Sequence, residues 1–215
     1  MDISSALIAI LAALLVGAIS PGPSFILVVR NSLGLSRRDG LATAIGMGVG
    51  GVCFSGVALA GLYTLLNSVE WLYGGLKVAG GAYLLYLALK IWRGSSAPIV
   101  IDGDRSEAAP NFGRSVWAGL TTQLTNPKTA IVYGSIFAAL LPQEPPLWCY
   151  IVLPPLVFVV EAGWYATVAM CFSGHGLRHR YLKSKVWIDR SASAAIGVLG
   201  FRLILTAHRW TDLLH

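Results

Sequence analysis

Ala18-Ile19-Ser20-Pro21-Gly22-Pro23-Ser24-Phe25 interrupts an apolar run that extends from about Ser5 to Val29. A run of roughly 20 apolar residues is enough to cross a bilayer as a helix. Two prolines within it remove backbone donors and clash with the preceding turn, and the glycine between them frees the chain to bend. The carbonyls released by such a break need partners, so a broken helix at membrane depth is tolerated where it is buried in protein or lines a wet cavity. A second interruption, Thr125-Asn126-Pro127-Lys128, sits in a later run from Ser115 to Leu141. Both stretches point to an all-α membrane protein built around a cavity. Composition agrees: 55% of the 215 residues are hydrophobic and 12% charged, against about 25% charged in soluble domains. Mean hydropathy is +0.67.

Outward from these stretches, four further spans read from the sequence: Leu41 to Leu66, Trp71 to Trp92, Leu147 to Ser173 and Ser191 to Ala207. The last is the shortest and contains Arg202. Six spans result, and a polar stretch, Arg93 to Arg114, parts them into repeat 1 (1–92) and repeat 2 (115–215) of a single transmembrane domain. Lysine and arginine concentrate in alternate connections. Arg30, Arg37 and Arg38 follow the first span; Lys90, Arg93, Arg105 and Arg114 flank the central stretch; Arg178, Arg180, Lys183, Lys185 and Arg190 precede the sixth span. The connections 67–70 and 142–146 carry none. The positive-inside rule makes the basic connections cytoplasmic and places both termini outside. The net charge of +6 is therefore a topology signal, and no nucleic-acid partner is expected. The N-terminal run lacks a basic n-region and is longer than an ordinary h-region, so it reads as a span and not as a cleaved leader. Three helices per half give the halves opposite orientations, the arithmetic of a 3+3 inverted repeat with broken first and fourth helices.

Four charged residues fall within the spans: Lys77, Lys128, Glu161 and Arg202. Each costs about 2.5–3.5 kcal/mol near a helix centre on insertion scales, which makes it a candidate for function. Lys77 lies near one end of its span, where snorkelling is an equal explanation. Arg202 reads equally as a structural ion-pair partner. Glu161 has three readings: a proton-exchanging carboxylate, an acceptor for a substrate ammonium, or a permanent ion pair with Lys128 or Lys77. Half-helix N-termini at Pro21-Gly22-Pro23 and Asn126-Pro127 suit an anion such as a substrate carboxylate. Tyr133, Trp164 and Tyr165 are expected to shape the pocket. Gly46, Gly50 and their neighbours in the second span read as close helix packing, which also allows a homodimer. His175 and His179 are spaced for two metal ligands, but a basic interfacial segment explains them better. Scattered Cys53, Cys149 and Cys171 form no metal or disulfide pattern. With no Walker motif and no nucleophile–base signature, neither a cofactor nor enzymatic activity is expected.

The ordered set of Ser20-Pro21-Gly22-Pro23, Leu76-Lys77-Val78-Ala79-Gly80-Gly81-Ala82-Tyr83, Leu124-Thr125-Asn126-Pro127-Lys128 and an acidic residue midway along the fifth span resembles the LysE/RhtB amino-acid exporters over nearly the whole chain. The resemblance implies export of amino acids across a bacterial inner membrane, driven by an ion gradient, expected here to be proton influx. Carried over by position, Pro21, Gly22, Pro23, Asn126, Pro127 and Lys128 match the two signature breaks, and Lys77 the basic residue opening the third-span motif. Glu161 stands where many members carry aspartate, which keeps the charge on a longer arm. Export of a metal ion or another small solute is the alternative within transport; a membrane-embedded enzyme is the alternative from another class.

Overall fold

The computed structural model describes residues 3–68, 70–96, 109–141 and 145–211, apart from the side chains at 62–74, 76–77, 175–178, 180 and 206–211. These residues form eight helices and no strand: α1 (Ile3–Ile19), α2 (Pro23–Gly34), α3 (Arg37–Ser68), α4 (Glu70–Gly94), α5 (Phe112–Thr125), α6 (Pro127–Leu140), α7 (Leu147–Ser173) and α8 (His175–Thr211). Two of them are long and apolar enough to cross a membrane alone, α3 over Arg37–Gly61 and α7. The α1–α2 pair passes the same test together, bent by 61° at the break.

Two expectations need correction. The sixth span, read as the shortest, belongs to the longest helix: α8 runs for 37 residues and absorbs the segment taken for a basic connection. The reason is local. From Leu177 to Ala195 the sequence holds neither glycine nor proline, and Lys185 pairs with Asp189 one turn on at 2.7 Å. Charge ends a hydrophobic span but does not end a helix. The expected central linker also begins and ends differently. Arg93 still belongs to α4, and Asn111 caps α5 by accepting from the amide of Arg114 at 2.9 Å. Residues 97–108 of that expected linker and 142–144 of the short connection lie outside the described residues.

α3 packs along α7 and α5, α4 along α8, and α1 lies against α6, α7 and α8. At the α3–α5 crossing the backbones touch. A Cβ added at Gly46 would stand 2.1 Å from the carbonyl oxygen of Val116, and one at Gly119 would stand 2.3 Å from that of Thr43. Backbone facing backbone cannot yield as a flexible side chain can. Gly46→Leu is therefore expected to cost about 3 kcal/mol or more. A thermal melt in detergent checks this, with Gly56→Leu, where an added Cβ meets nothing within 4 Å, expected to melt like wild type. Nearby, Asp39 ties the halves together: its carboxylate accepts from the amide of Asn111 at 3.0 Å and the hydroxyl of Ser115 at 2.8 Å.

Buried apolar side chains form two clusters. One gathers Ile10, Leu14, Leu84, Tyr133 and Leu153; the other gathers Ala18, Phe25, Met47, Tyr165 and Phe172. Leu14 and Tyr133 from the first meet Ala18 and Tyr165 from the second around the helix breaks.

Candidate functional site

The two breaks are built alike. α1 stops at Ile19, Gly22 takes the N-cap position and Pro23 opens α2 at its first turn. α5 stops at Thr125, Asn126 caps both helices and Pro127 opens α6. Proline suits this position because its missing N–H has no intrahelical acceptor there anyway. The expectation that Gly22 is needed for backbone freedom fails. Its φ of −153° and ψ of −171° are extended values that any residue adopts. Nor does crowding demand glycine: a Cβ there would make ordinary van der Waals contact, 3.5 Å from Lys128 Cδ.

Carbonyls freed by the first break find donors from the other half. Ala18 O accepts from Trp164 Nε1 at 3.1 Å, and Ser20 O accepts from Lys128 Nζ at 2.8 Å. From there a buried polar chain leads inward. Asn126 Oδ1 accepts from the Lys128 amide at 3.1 Å, and Asn126 Nδ2 donates to Ser24 Oγ at 3.0 Å. Ser24 Oγ donates to Gln123 Oε1 at 2.7 Å, and Gln123 Nε2 donates to Glu161 Oε2 at 3.2 Å. Tyr133 Oη donates to the other carboxylate oxygen at 3.0 Å. Every member is satisfied, as a buried network must be. Gly51 of α3 leaves space for this end, since a Cβ there would fall 2.8 Å from Tyr133 Oη and 3.1 Å from Glu161 Cγ.

Glu161 is 3% exposed, and no ion pair within 4 Å joins it to Lys128. The two groups instead share the wall of a cavity of about 20 Å³, room for roughly one water molecule. Ser20, Gly22, Asn126 and Lys128 also face a second cavity of about 460 Å³, which adds Pro21, Pro23 and Pro127 from the breaks. Its remaining polar lining comes from Tyr83, Tyr86 and Lys90 of α4 and Lys185 and Asp189 of α8. The N-terminal ends of α2 and α6 both open on it.

Of the residues singled out from sequence, Pro21, Gly22, Pro23, Asn126, Pro127, Lys128 and Glu161 thus come together at two adjoining cavities. Tyr133 and Tyr165 join them, whereas Trp164 lines neither cavity and instead donates to Ala18 O at the first break. Lys77 falls in α4, but its side chain lies outside the described residues. Arg202 lines a separate, largely apolar cavity beside α1 and α8. Ser24, Gln123 and Asp189 were missed. Gln123 was detectable as a lone amide close to the Asn126-Pro127 break; Asp189 was hidden inside a segment read for its net charge. Among the described residues no three His, Cys, Asp or Glu side chains stand close enough to hold a metal ion.

Comparison with known proteins yields one consistent result. Residues 15–207 match the family described as LysE type translocator. The chain is 28% identical over 193 residues to the threonine efflux protein of Escherichia coli K12, covering 89% of this chain and 94% of that one. It is 29% identical over 196 residues to the leucine efflux protein of Salmonella choleraesuis SC-B67, covering 86% and 88%. An uncharacterized membrane protein of Escherichia coli K12, YahN, is 33% identical over 187 residues, covering 86% and 82%. No solved structure matches the chain significantly.

Proposed function

The chain belongs to the LysE type translocator family, and from that premise we propose that it exports amino acids from the bacterial cytoplasm in exchange for protons. It is a transporter and not an enzyme. The observation that carries the proposal is the meeting of two broken helices at one cavity beside a buried carboxylate. In this reading α1 with α2, α3, α4, α5 with α6, α7 and α8 are six spans of a 3+3 inverted repeat in the inner membrane. The repeat is supported by the pairing of equivalent helices, α3 with α7 and α4 with α8. Lys90 of α4 and Lys185 of α8, both from stretches read as cytoplasmic by their positive charge, line the 460 Å³ cavity and support a cytoplasmic opening for it.

A cavity of that size accommodates a free amino acid. Threonine and leucine, the cargoes in the relatives' names, differ in side chain and share only the ammonium and carboxylate. A site serving such cargoes must hold those two groups. The N-terminal ends of α2 and α6 carry partial positive charge, and Lys128 adds a full one, so the carboxylate docks at the breaks. Glu161 lies beyond, linked to the breaks through Gln123 and Ser24. It has space for water and none for cargo, which fits it to exchange a proton as access alternates. Efflux from cells preloaded with a panel of labelled amino acids tests the assignment. Selective loss of one or a few, stopped by a protonophore, is the expected result. Efflux no faster than from cells lacking the protein rejects it.

A further inference from the structure

We propose that Asp189 receives the ammonium group of the transported amino acid, in the same cavity in which Lys128 and the helix breaks receive its carboxylate. The inference deepens the export reading and rests on it. Asp189 is 2% exposed and lines the 460 Å³ cavity. One carboxylate oxygen, Oδ2, accepts from Lys185 Nζ at 2.7 Å. The other, Oδ1, is buried and has no hydrogen-bond partner among the described residues. Lys185 cannot supply one. Its ammonium has three donors, and they are taken by Asp189 Oδ2, by Ser95 O at 2.9 Å and by Gly94 O at 3.3 Å. Lys185 therefore fixes the carboxylate against the end of α4 and leaves its other oxygen without a donor. A buried acceptor without a donor is unfavourable, and a cargo that brings N–H donors relieves it.

Charge placement agrees. Lys90, Lys128 and Lys185 line the cavity with Asp189, and Lys128 and Asp189 lie within electrostatic reach of one another, so a cation and an anion are both on offer to a cargo. A zwitterion presents the complementary pair. Glu161 does not compete for the ammonium, because the space beside it holds only about 20 Å³, and Tyr133 and Gln123 already donate one hydrogen bond to each of its oxygens. The two carboxylates thus divide the work: Asp189 selects for an amine, and Glu161 is left for the proton.

The test compares leucine with its 2-hydroxy analogue, which keeps the side chain and carboxylate and lacks the ammonium. Efflux of each is measured from proteoliposomes holding purified wild type or Asp189→Asn. Asparagine preserves shape and an acceptor for Lys185, and it turns an N–H donor to where the cargo's donors would sit. Wild type is expected to prefer leucine by about tenfold or more, and Asp189→Asn to lower leucine efflux until that ratio approaches one. A merely structural role would depress both cargoes equally and leave the ratio intact. Asp189→Ser is read in the same way should the asparagine variant fail to fold. If either folded variant keeps the wild-type ratio, the Asp189 assignment falls and export stands. If wild type moves no member of a panel of labelled amino acids, leucine and threonine included, beyond protein-free vesicles, the export reading itself falls, and the Asp189 assignment with it.

Discussion

Glu161→Gln is expected to cripple net export while substrate exchange survives. Glutamine fills nearly the same volume and keeps one oxygen as an acceptor, and the hydroxyl of Tyr133 can rotate to accept from the new amide. The fold and the cargo cavity, in which Glu161 has no part, are then preserved. What is lost is a carboxylate able to take up and release a proton between the two sides. Net efflux is expected to fall by about 100-fold, equivalent to roughly 2.7 kcal/mol of barrier. Counterflow of labelled against unlabelled leucine, which needs cargo binding and alternating access but no net proton movement, should stay within a few-fold of wild type. The split is the informative part, because a Glu161 that only fixed packing would lose both activities together.

Lys128→Met gives the second large effect, and it appears in affinity. The apolar stem is retained, and the ammonium proposed to meet the cargo carboxylate is removed. The KM for every amino acid carried is expected to rise by about 30- to 100-fold, or roughly 2–2.7 kcal/mol. Stability should fall as well. Ser20 O, freed by the first break, would lose its 2.8 Å donor, and an unpaired buried carbonyl costs about 1–3 kcal/mol. Concentration-dependent efflux and a thermal melt read these separately. A rise in KM with kcat held would place Lys128 at the cargo, whereas a fall in kcat with KM unchanged would move it into the conformational step.

Much of this site was legible in the sequence, and the part that was not has a physical cause. Proline cannot be hidden: it lacks the N–H and clashes with the turn before it, so both breaks could be placed to within a few residues. A charge in an apolar run is equally conspicuous, which is why Lys128 and Glu161 were found without a structure. Ser24 and Gln123 carry no charge and scarcely disturb hydropathy, yet they connect the breaks to Glu161. Their role depends on two segments 99 residues apart in sequence lying side by side. Asp189 was obscured by its neighbours. Read as a topology signal, the stretch from Arg178 to Arg190 is a basic loop; folded, it is continuous helix that buries Lys185 and Asp189. Hydropathy marks where apolar residues stop, and helix boundaries are set by capping, glycine and proline. Gly22 gave the opposite error. Sequence reasoning credits glycine with unusual backbone angles, whereas here the backbone is extended, as any residue could be.

The most direct test of the whole account is uphill transport by the purified protein. Proteoliposomes containing wild type or Glu161→Gln are loaded with a panel of labelled amino acids, threonine and leucine among them, at the same concentrations as the medium, and an inwardly directed proton gradient is imposed across the membrane. Wild type should drive at least one of them out below its equilibrium level, and Glu161→Gln should leave the internal pool where it began. Wild-type vesicles that hold every amino acid of the panel at equilibrium, or Glu161→Gln vesicles that empty as wild type does, would contradict it.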